Sequence, residues 1–365
     1  MKIFVLTTEL SVKNGWGRYS LAMVSALSHN RFNVSIAISK NGASGSRTGA
    51  IKILAGDLQY KKNYFFAPWY AWRLRKYVKD CDAIHCFAEP YSYIAYWLSK
   101  LSGKKYFITA HGTHSILPYH KSFFTRYFHK NAFESADTVF CVSNYTKDML
   151  AKFDLKNLTV INNGICFKDF YKSPASFDER ENIILSVGAL KHRKGQHISI
   201  EAFAEIAQKI EGLEYYIVGN QADVSYYKRL KQLAHSLGVA DKIIFLPFVS
   251  DGELRVLYGR ARVFVMTAMS DKTNFEGFGL VYLEANASGL PVIGSSDSGA
   301  EDAVVEGRTG FLLPPGDIKA ISSKINSLLG DKTLWHEMSE SGVAWAREHD
   351  WDKIIKKYVK IYETQ

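Results

Sequence analysis

Nowhere does the chain hold an uninterrupted apolar run of the roughly 18 residues that a membrane-spanning helix needs, which excludes an integral helical membrane protein. Cysteine is sparse, with Cys81, Cys86, Cys141 and Cys166 dispersed along 365 residues. The five-residue offset of Cys81 and Cys86 is not that of a zinc knuckle and no His-rich segment follows, so neither a disulfide scaffold nor a thiolate metal site is expected, and a reducing compartment fits best. Only 8 prolines and a 47% hydrophobic content exclude a disordered chain. No short-period repeat or low-complexity segment is present. The opening MKIFVLTTEL stops being apolar at Thr7 and meets Glu9, so it reads as a first buried strand rather than a signal sequence. A protein that is soluble, or attached to a membrane from one side, is expected.

Acidic residues are scarce in one half only. Residues 1–172 hold 24 Lys and Arg against 10 Asp and Glu, a net +14, while the remainder holds 22 against 26, a net −4. Such asymmetry points to an anionic partner for the first half. The length exceeds one ordinary core, and two domains are expected. Short apolar runs alternate with helical periodicity: KIFVLTT, FNVSIAI, CDAIHCF, KKYFITA, DTVFCVS and LTVINNG in the first half, then NIILSVGAL, EYYIVGN, KIIFLPFV, RVFVMTA and PVIGSS after a junction near 163–180. Continuous apolar strands separated by helices belong to parallel sheets covered on both faces. The expectation is two doubly wound α/β domains, 1–170 and 171–350, facing a cleft, with the basic amphipathic helix 351–365 crossing back to the first. In such sheets ligands sit outside the carboxyl ends of the strands, which is where chemistry is sought.

In NFEGFGLVYLEANASGLPV, Glu276 and Glu284 bracket a Gly277-Phe278-Gly279 turn that opens a helix at about Leu280. The N–H groups of Phe278, Gly279 and Leu280 at that helix start, with glycines permitting close approach, make an anion site suited to a diphosphate. Glu284, one turn inside, is placed to accept two hydrogen bonds from a ribose diol, and Glu276 to meet a hydroxyl beyond the phosphates. The plainer alternative is a Glu satisfying the helix dipole and a solvated helical Glu. In VGALKHRKGQH a strand ends at Gly188, and Arg193 and Lys194 follow before Gly195 opens a helix. A guanidinium and an ammonium there can clamp a pyrophosphate and neutralise charge on a departing group, although an isolated RKG is more often solvated surface.

In ELSVKNGWGRYS, Gly15 and Gly17 let backbone approach a ligand, Trp16 offers a face to a sugar, and Arg18 begins the next helix. Ser at position 20 rules out a Gly-x-Gly-x-x-Gly fingerprint. FITAHGTHS places His111 at a strand end, either as a polar contact in the site or as a structural histidine. Glu89, His114 and Ser143 also sit at strand ends, with no individual role assigned. KKNYFFAPWYAWRLRKYVK and YHKSFFTRYFHK interleave aromatic rings with cations, as a bilayer-interface segment does, or as an ordinary helix that packs its rings inward. Nucleic acid is not expected as a partner, because no recognised binding motif accompanies the basic surface.

The string TNFEGFGLVYLEANASGLPVIGSSDSGAEDAV, followed by GRTGFLLPPGD, resembles the signature of the family 4 (group 1) retaining glycosyltransferases, whose Glu-x7-Glu motif Glu276 and Glu284 fill. The likeness extends through SVGALKHRKGQH, YYIVGN and FLPFVSDGELRVLYGRARVFV; it is specific in the second domain and looser in the first, where GWGRYS resembles the loop of members that build bacterial surface polysaccharides. Ala189 departs from the pattern, since many relatives carry Arg directly after the strand glycine. The resemblance implies a GT-B fold, with nucleotide sugar bound mainly by the second domain and acceptor by the first. It implies a retaining hexosyl transfer that needs no metal or other cofactor, with Glu276, Lys194, Arg193 and His111 serving the reaction, His111 through a polar contact near the transferred sugar rather than as a nucleophile. Gly15, Gly17, Val249, Phe278, Gly279, Leu280 and Glu284 would line the donor, Val249 beside the base. A lipid-linked glycan acceptor in polysaccharide or lipopolysaccharide synthesis is the expected partner, at an anionic membrane on the cytoplasmic face of the inner membrane. Two alternatives stay open: a nucleotide-sugar epimerase or phosphorylase of the same fold, and a non-catalytic basic protein binding lipid or nucleic acid.

Overall fold

The computed structural model describes residues 1–12, 15–43, 49–54, 60–171 and 176–364, with backbone alone for 60–63. Lys13 and Asn14 of the expected glycine loop, and 172–175 of the expected junction, lie outside the described residues. The chain divides into two compact units, Met1–Asn163 with Trp351–Gln365, and Gly164–Asp350. The second unit begins ahead of residue 171 because the Ile165 N–H donates to the His349 carbonyl (2.9 Å) and the Phe167 N–H to the Asp350 carboxylate (3.1 Å).

The first unit is built on a seven-stranded sheet in the order β3 (Ile51–Leu54), β2 (Asn33–Ser39), β1 (Lys2–Leu6), β4 (Ala83–Cys86), β5 (Lys105–Ala110), β6 (Thr138–Cys141) and β7 (Leu158–Val160). All of its pairings are parallel, with Val5 opposite Ile36 on one side and His85 on the other. The second unit holds six strands in the order β10 (Ile243–Leu246), β9 (Glu214–Val218), β8 (Ile183–Val187), β11 (Val263–Met266), β12 (Val292–Ser295) and β13 (Gly310–Leu313), again all parallel. Both are doubly wound Rossmann-like sheets. Strands covered on both faces need no polar side, and Ile3 to Leu6 and Val263 to Val265 are fully buried. In each sheet the winding reverses between two neighbours, β1 and β4 in the first, β8 and β11 in the second. A crevice opens at such a reversal, beyond the strand carboxyl ends.

The helix Trp351–Thr364 belongs to the first unit. Trp351, Ile354, Ile355, Tyr358 and Tyr362 recur at helical spacing and are buried with Ile3, Val5, Tyr19 and Met23 in one core, while Lys353, Lys356, Lys357 and Lys360 face out. Burying each such large side chain contributes about 2 kcal/mol, which anchors the helix with its lysines turned outward. Its two tyrosines also enter a buried polar network. Tyr362 Oη meets His85 Nδ1 at 2.5 Å, Thr109 Oγ1 meets His85 Nε2 at 2.9 Å, and Tyr19 Oη bridges Thr109 and Tyr358 at 3.0 and 3.3 Å.

Burial holds three core histidines neutral. It pulls His85 well below the ordinary imidazole value, His129 to about 3 and, in the second unit, His197 to about 4. A histidine with a depressed folded value contributes its full stability above the unfolded value of about 6.5 and loses it as pH falls toward the folded value. The Glu89 carboxyl, pushed up by burial, offsets at most one of these protons. Unfolding free energy measured by urea denaturation should therefore fall as pH drops from about 6.5 to 4; a level profile over that window would show these histidines protonated in the fold.

Candidate active site

At the reversal point of the second unit, two loops are stitched together. One follows β8 and carries the 3-10 turn His192–Lys194; the other follows β11 and runs to Gly279. Because β8 and β11 are paired neighbours, the Met269 N–H donates to the Arg193 carbonyl (2.8 Å) and the Thr267 hydroxyl to the Gly195 carbonyl (2.8 Å). Gly195 lies so close that a Cβ would stand 1.8 Å from the Thr267 carbonyl oxygen, and its φ of 70° also favours glycine. Asp271, held ionised near 2 chiefly by the N–H of Thr273, folds the intervening loop through N–H donations from Thr273 and Asn274 (both 2.7 Å).

These constraints bring three expected residues together. Lys194 Nζ lies 2.5 Å from Glu276 Oε2, and Arg193 Nη1 lies 3.3 Å from the same oxygen. The Lys194 and Glu276 side chains keep only 14% and 12% of their exposure, and Arg193 keeps 33%. Burial alone would raise the Glu276 carboxyl, but the two cations outweigh it and hold the group below its usual range. Burial pulls the Lys194 ammonium down, and Glu276 restores it only in part.

Directly after Glu276, Gly279 caps the helix Leu280–Ala287 in the left-handed region, with φ 87° and the Tyr282 ring 2.5 Å from where a Cβ would stand. The first N–H groups of a helix have no intrahelical partner, so the positive end of this helix starts beside the cation–carboxylate cluster. Gly299 packs against the Gly277–Phe278 peptide and donates its N–H to the Glu276 carbonyl (2.8 Å), fixing the turn.

Other expected residues are placed differently. The Phe278 ring is buried near His349, so only its backbone can meet a ligand. Glu284 is outside the ion-pair cluster: it is 4% exposed and accepts from the Tyr258 hydroxyl at 3.1 Å. Tyr258 sits on the helix Asp251–Arg260, whose capping box begins at Ser250, immediately after Val249 and the exposed Phe248. Val249 and Glu284 are thus linked through one helix.

In the first unit, Gly15 begins the helix Gly15–His29, and among the described residues no atom beyond its chain neighbours lies within 4 Å of where its Cβ would stand, whereas a Cβ on Gly17 would meet the Ser11 carbonyl at 2.5 Å. His111 Nε2 lies 2.9 Å from the Phe87 carbonyl. A carbonyl only accepts, so Nε2 carries the proton and Nδ1 keeps its lone pair. Burial takes the imidazole down to about 4. Of the strand-end residues to which the sequence assigns no individual role, Glu89 is the most connected. It is fully buried and accepts from the His111 N–H (2.6 Å), the Ser115 hydroxyl (2.9 Å) and the Trp16 indole N–H (3.1 Å). Its place at a strand end was its only sequence signal.

The basic aromatic segments form helices Tyr60–Val78 and Phe123–Glu134. Lys61, Lys62 and Asn63 lie outside the residues whose side chains are described. Phe65 and Phe123 are 73% and 75% exposed, with Phe66, Trp69, Trp72, Phe124 and Tyr127 also turned outward. Phe128 is not among them, since it stacks on Tyr64 at 5.2 Å. A groove of about 780 Å³ beside Trp72 is lined by Arg73, Arg75, Lys76, Lys79 and Lys104.

The family description "Glycosyl transferases group 1" matches residues 167–345, and "Glycosyltransferase Family 4" matches residues 13–167. The chain belongs to the group 1 glycosyltransferases of family 4. It is 30% identical over 226 residues to a GDP-mannose-dependent alpha-(1-6)-phosphatidylinositol monomannoside mannosyltransferase of Mycolicibacterium smegmatis, covering 59% of this chain and 58% of the relative. It is 32% identical over 193 residues to the capsular polysaccharide biosynthesis glycosyltransferase CapM of Staphylococcus aureus, covering 50% and 47%. The aligned stretches thus span less than two thirds of these relatives. In fold it matches a sucrose-phosphate synthase from Thermosynechococcus elongatus (TM-score 0.84, 21% identity, 100% and 98% of the two chains). It matches Anabaena HepE crystallised with UDP-glucose equally fully (TM-score 0.81, 21% identity, 100% of both chains). These are neighbours within the GT-B fold.

Glu276 competes with any anion for Lys194 and Arg193. Glu276→Gln should therefore bind inorganic pyrophosphate about tenfold more tightly than the native chain, because a like charge next to the ligand is removed. Calorimetric titration of the two proteins checks this; equal or weaker binding by the variant would place the anion site elsewhere.

Proposed function

We propose that the chain transfers a hexosyl group from a nucleotide sugar to a glycan acceptor, with retention of the anomeric configuration and without a metal. The observation that carries this reading is the Lys194–Arg193–Glu276 cluster beside the start of the helix Leu280–Ala287. A diphosphate presents more charge to the two cations than a single carboxylate does. On binding, it takes over Lys194 and Arg193, with the helix-start N–H groups from Phe278 to Leu280 completing its cradle. Glu276 is then released to accept hydrogen bonds from the donor sugar, and Glu284 serves the ribose.

In the transfer step the acceptor hydroxyl attacks the anomeric carbon on the face of the leaving group. The bond from that carbon to the phosphate oxygen breaks with its electrons going to the phosphate, and this oxygen takes the acceptor's proton. Lys194 and Arg193 stabilise the charge that develops there, a role worth roughly 100- to 1000-fold per contact. The cations and helix start would do what a divalent ion does elsewhere, so activity should survive EDTA.

A lipid-linked acceptor is supported by the relatives, one of which acts on a phosphatidylinositol mannoside and another in capsular polysaccharide synthesis. The exposed rings and cations of the first unit support docking on an anionic membrane, on the cytoplasmic face of the inner membrane in this reading. Among the described residues no helix is long and apolar enough to cross a membrane.

With a matched donor and acceptor, Glu276→Gln should keep its fold and lose most turnover, Lys194→Ala should lose roughly 100-fold or more, and Glu284→Gln should mainly raise the donor KM. Product NMR should show the donor's anomeric configuration; inversion, or free nucleoside diphosphate formed equally without acceptor, contradicts the reading. For the membrane, co-sedimentation with vesicles should require anionic lipid and weaken with salt, as about 1 kcal/mol per cation is screened. A Lys121→Glu, Arg126→Glu, Lys130→Glu triple variant that sediments like the native chain would return these residues to ordinary surface.

A further inference from the structure

The three strand ends that meet at the first unit's reversal point are tied through a single carboxylate. Sheet order sets β1, β4 and β5 side by side, and after their ends come in turn Trp16, in the first turn of the helix Gly15–His29, the residue Glu89, and His111. Oε1 of Glu89 accepts from the His111 N–H and the Ser115 hydroxyl, and Oε2 accepts from the Trp16 indole. All three partners are neutral donors, so the acceptor-only carboxylate matches them and a side chain with its own N–H does not. Trp16 also touches the His114 ring (centroids 4.6 Å apart), and the His111 ring rests edge-on against Tyr19 (4.6 Å). Trp16 and His111 stay partly exposed while the acid that fixes them is fully buried.

We propose that Glu89 is a positioning residue that locks the Trp16 ring to the His111 segment, and that a pyranosyl ring of the acceptor packs against the Trp16 face so held. The inference rests on the glycosyltransferase reading for its ligand, but not for the locking itself. A pyranose has an apolar C–H face that suits an indole, and the partly exposed Trp16 ring offers one. A first-turn tryptophan whose ring is free to rotate would lose ordering entropy on each binding event, and the bond to Glu89 removes that loss beforehand.

Glu89→Gln is the selective test. Its single carbonyl can keep serving His111 and Ser115, which turns its NH2 against the Trp16 N–H. In 15N-indole NMR spectra the Trp16 resonance, assigned with Trp16→Phe, should move in Glu89→Gln while the other six tryptophans hold their positions. In kinetics Glu89→Gln should raise the acceptor KM about tenfold, the scale of one buried hydrogen bond to a charged group, and leave the donor KM within about twofold. In the Trp16→Phe background the same change should have little further effect, since the donor it clashes with is gone. A Trp16 resonance that stays in place, or a tenfold loss that persists in the Trp16→Phe background, overturns the proposal. Absence of transfer by the native chain with every donor would instead overturn the glycosyltransferase reading, with the NMR result still deciding the lock.

Discussion

A carboxylate withdrawn from water must have its charge answered, and Glu276 is answered by Lys194 at 2.5 Å and Arg193 at 3.3 Å. Much of the second unit's reversal point serves that requirement. β8 and β11 have to be neighbours, their loops have to be bonded to each other, and Gly195 and Gly279 have to occupy positions a side chain would block. Such a pair is a poor way to stabilise a fold, because the desolvation of two ions consumes most of their attraction. An arrangement this constrained and this weakly stabilising is better understood as an anion site in which an internal carboxylate stands where a ligand's charge will go.

The two units use a buried acid at the same topological place for opposite ends. Glu276 is met by two long cationic side chains, which the proposed reading has turn to the donor's diphosphate. Glu89 is met by a backbone N–H, a hydroxyl and an indole, neutral donors that an incoming anion does not draw away as it would a cation. Exchange in one crevice and rigidity in the other suit a reaction that must release one product from a charged cradle while holding its second substrate still. The C-terminal helix adds to the rigid side, since Tyr358 reaches the Tyr19 hydroxyl and the Tyr19 ring supports His111.

Much of this was legible in the residues. Apolar runs such as NIILSV and RVFVM declared fully buried parallel strands, and alternation with helices declared the winding. β3 escaped notice because Lys52 interrupts its four-residue run, and β13 because it opens on Gly310, which pattern reading assigns to a turn but which packs against the Val292 carbonyl. Glu276, Lys194 and Arg193 were legible as types suited to a diphosphate, yet their pairing depends on strand adjacency across 82 and 83 positions. The Glu89 hub was invisible for the same reason, as its partners come from 22, 26 and 73 positions away. The burial of Phe278 and the approach of Tyr258 to Glu284 likewise come from tertiary packing, which no local spacing encodes.

The central claim is that Lys194 and Arg193 change partners, from the Glu276 carboxylate to a donor's diphosphate. A crystal structure of the chain with a nucleoside diphosphate sugar tests it most directly. The account predicts Lys194 Nζ within hydrogen-bond distance of a phosphate oxygen, with Glu276 turned away from it toward a hydroxyl of the sugar. A bound donor beside an unbroken Lys194–Glu276 pair, still near 2.5 Å, would contradict it.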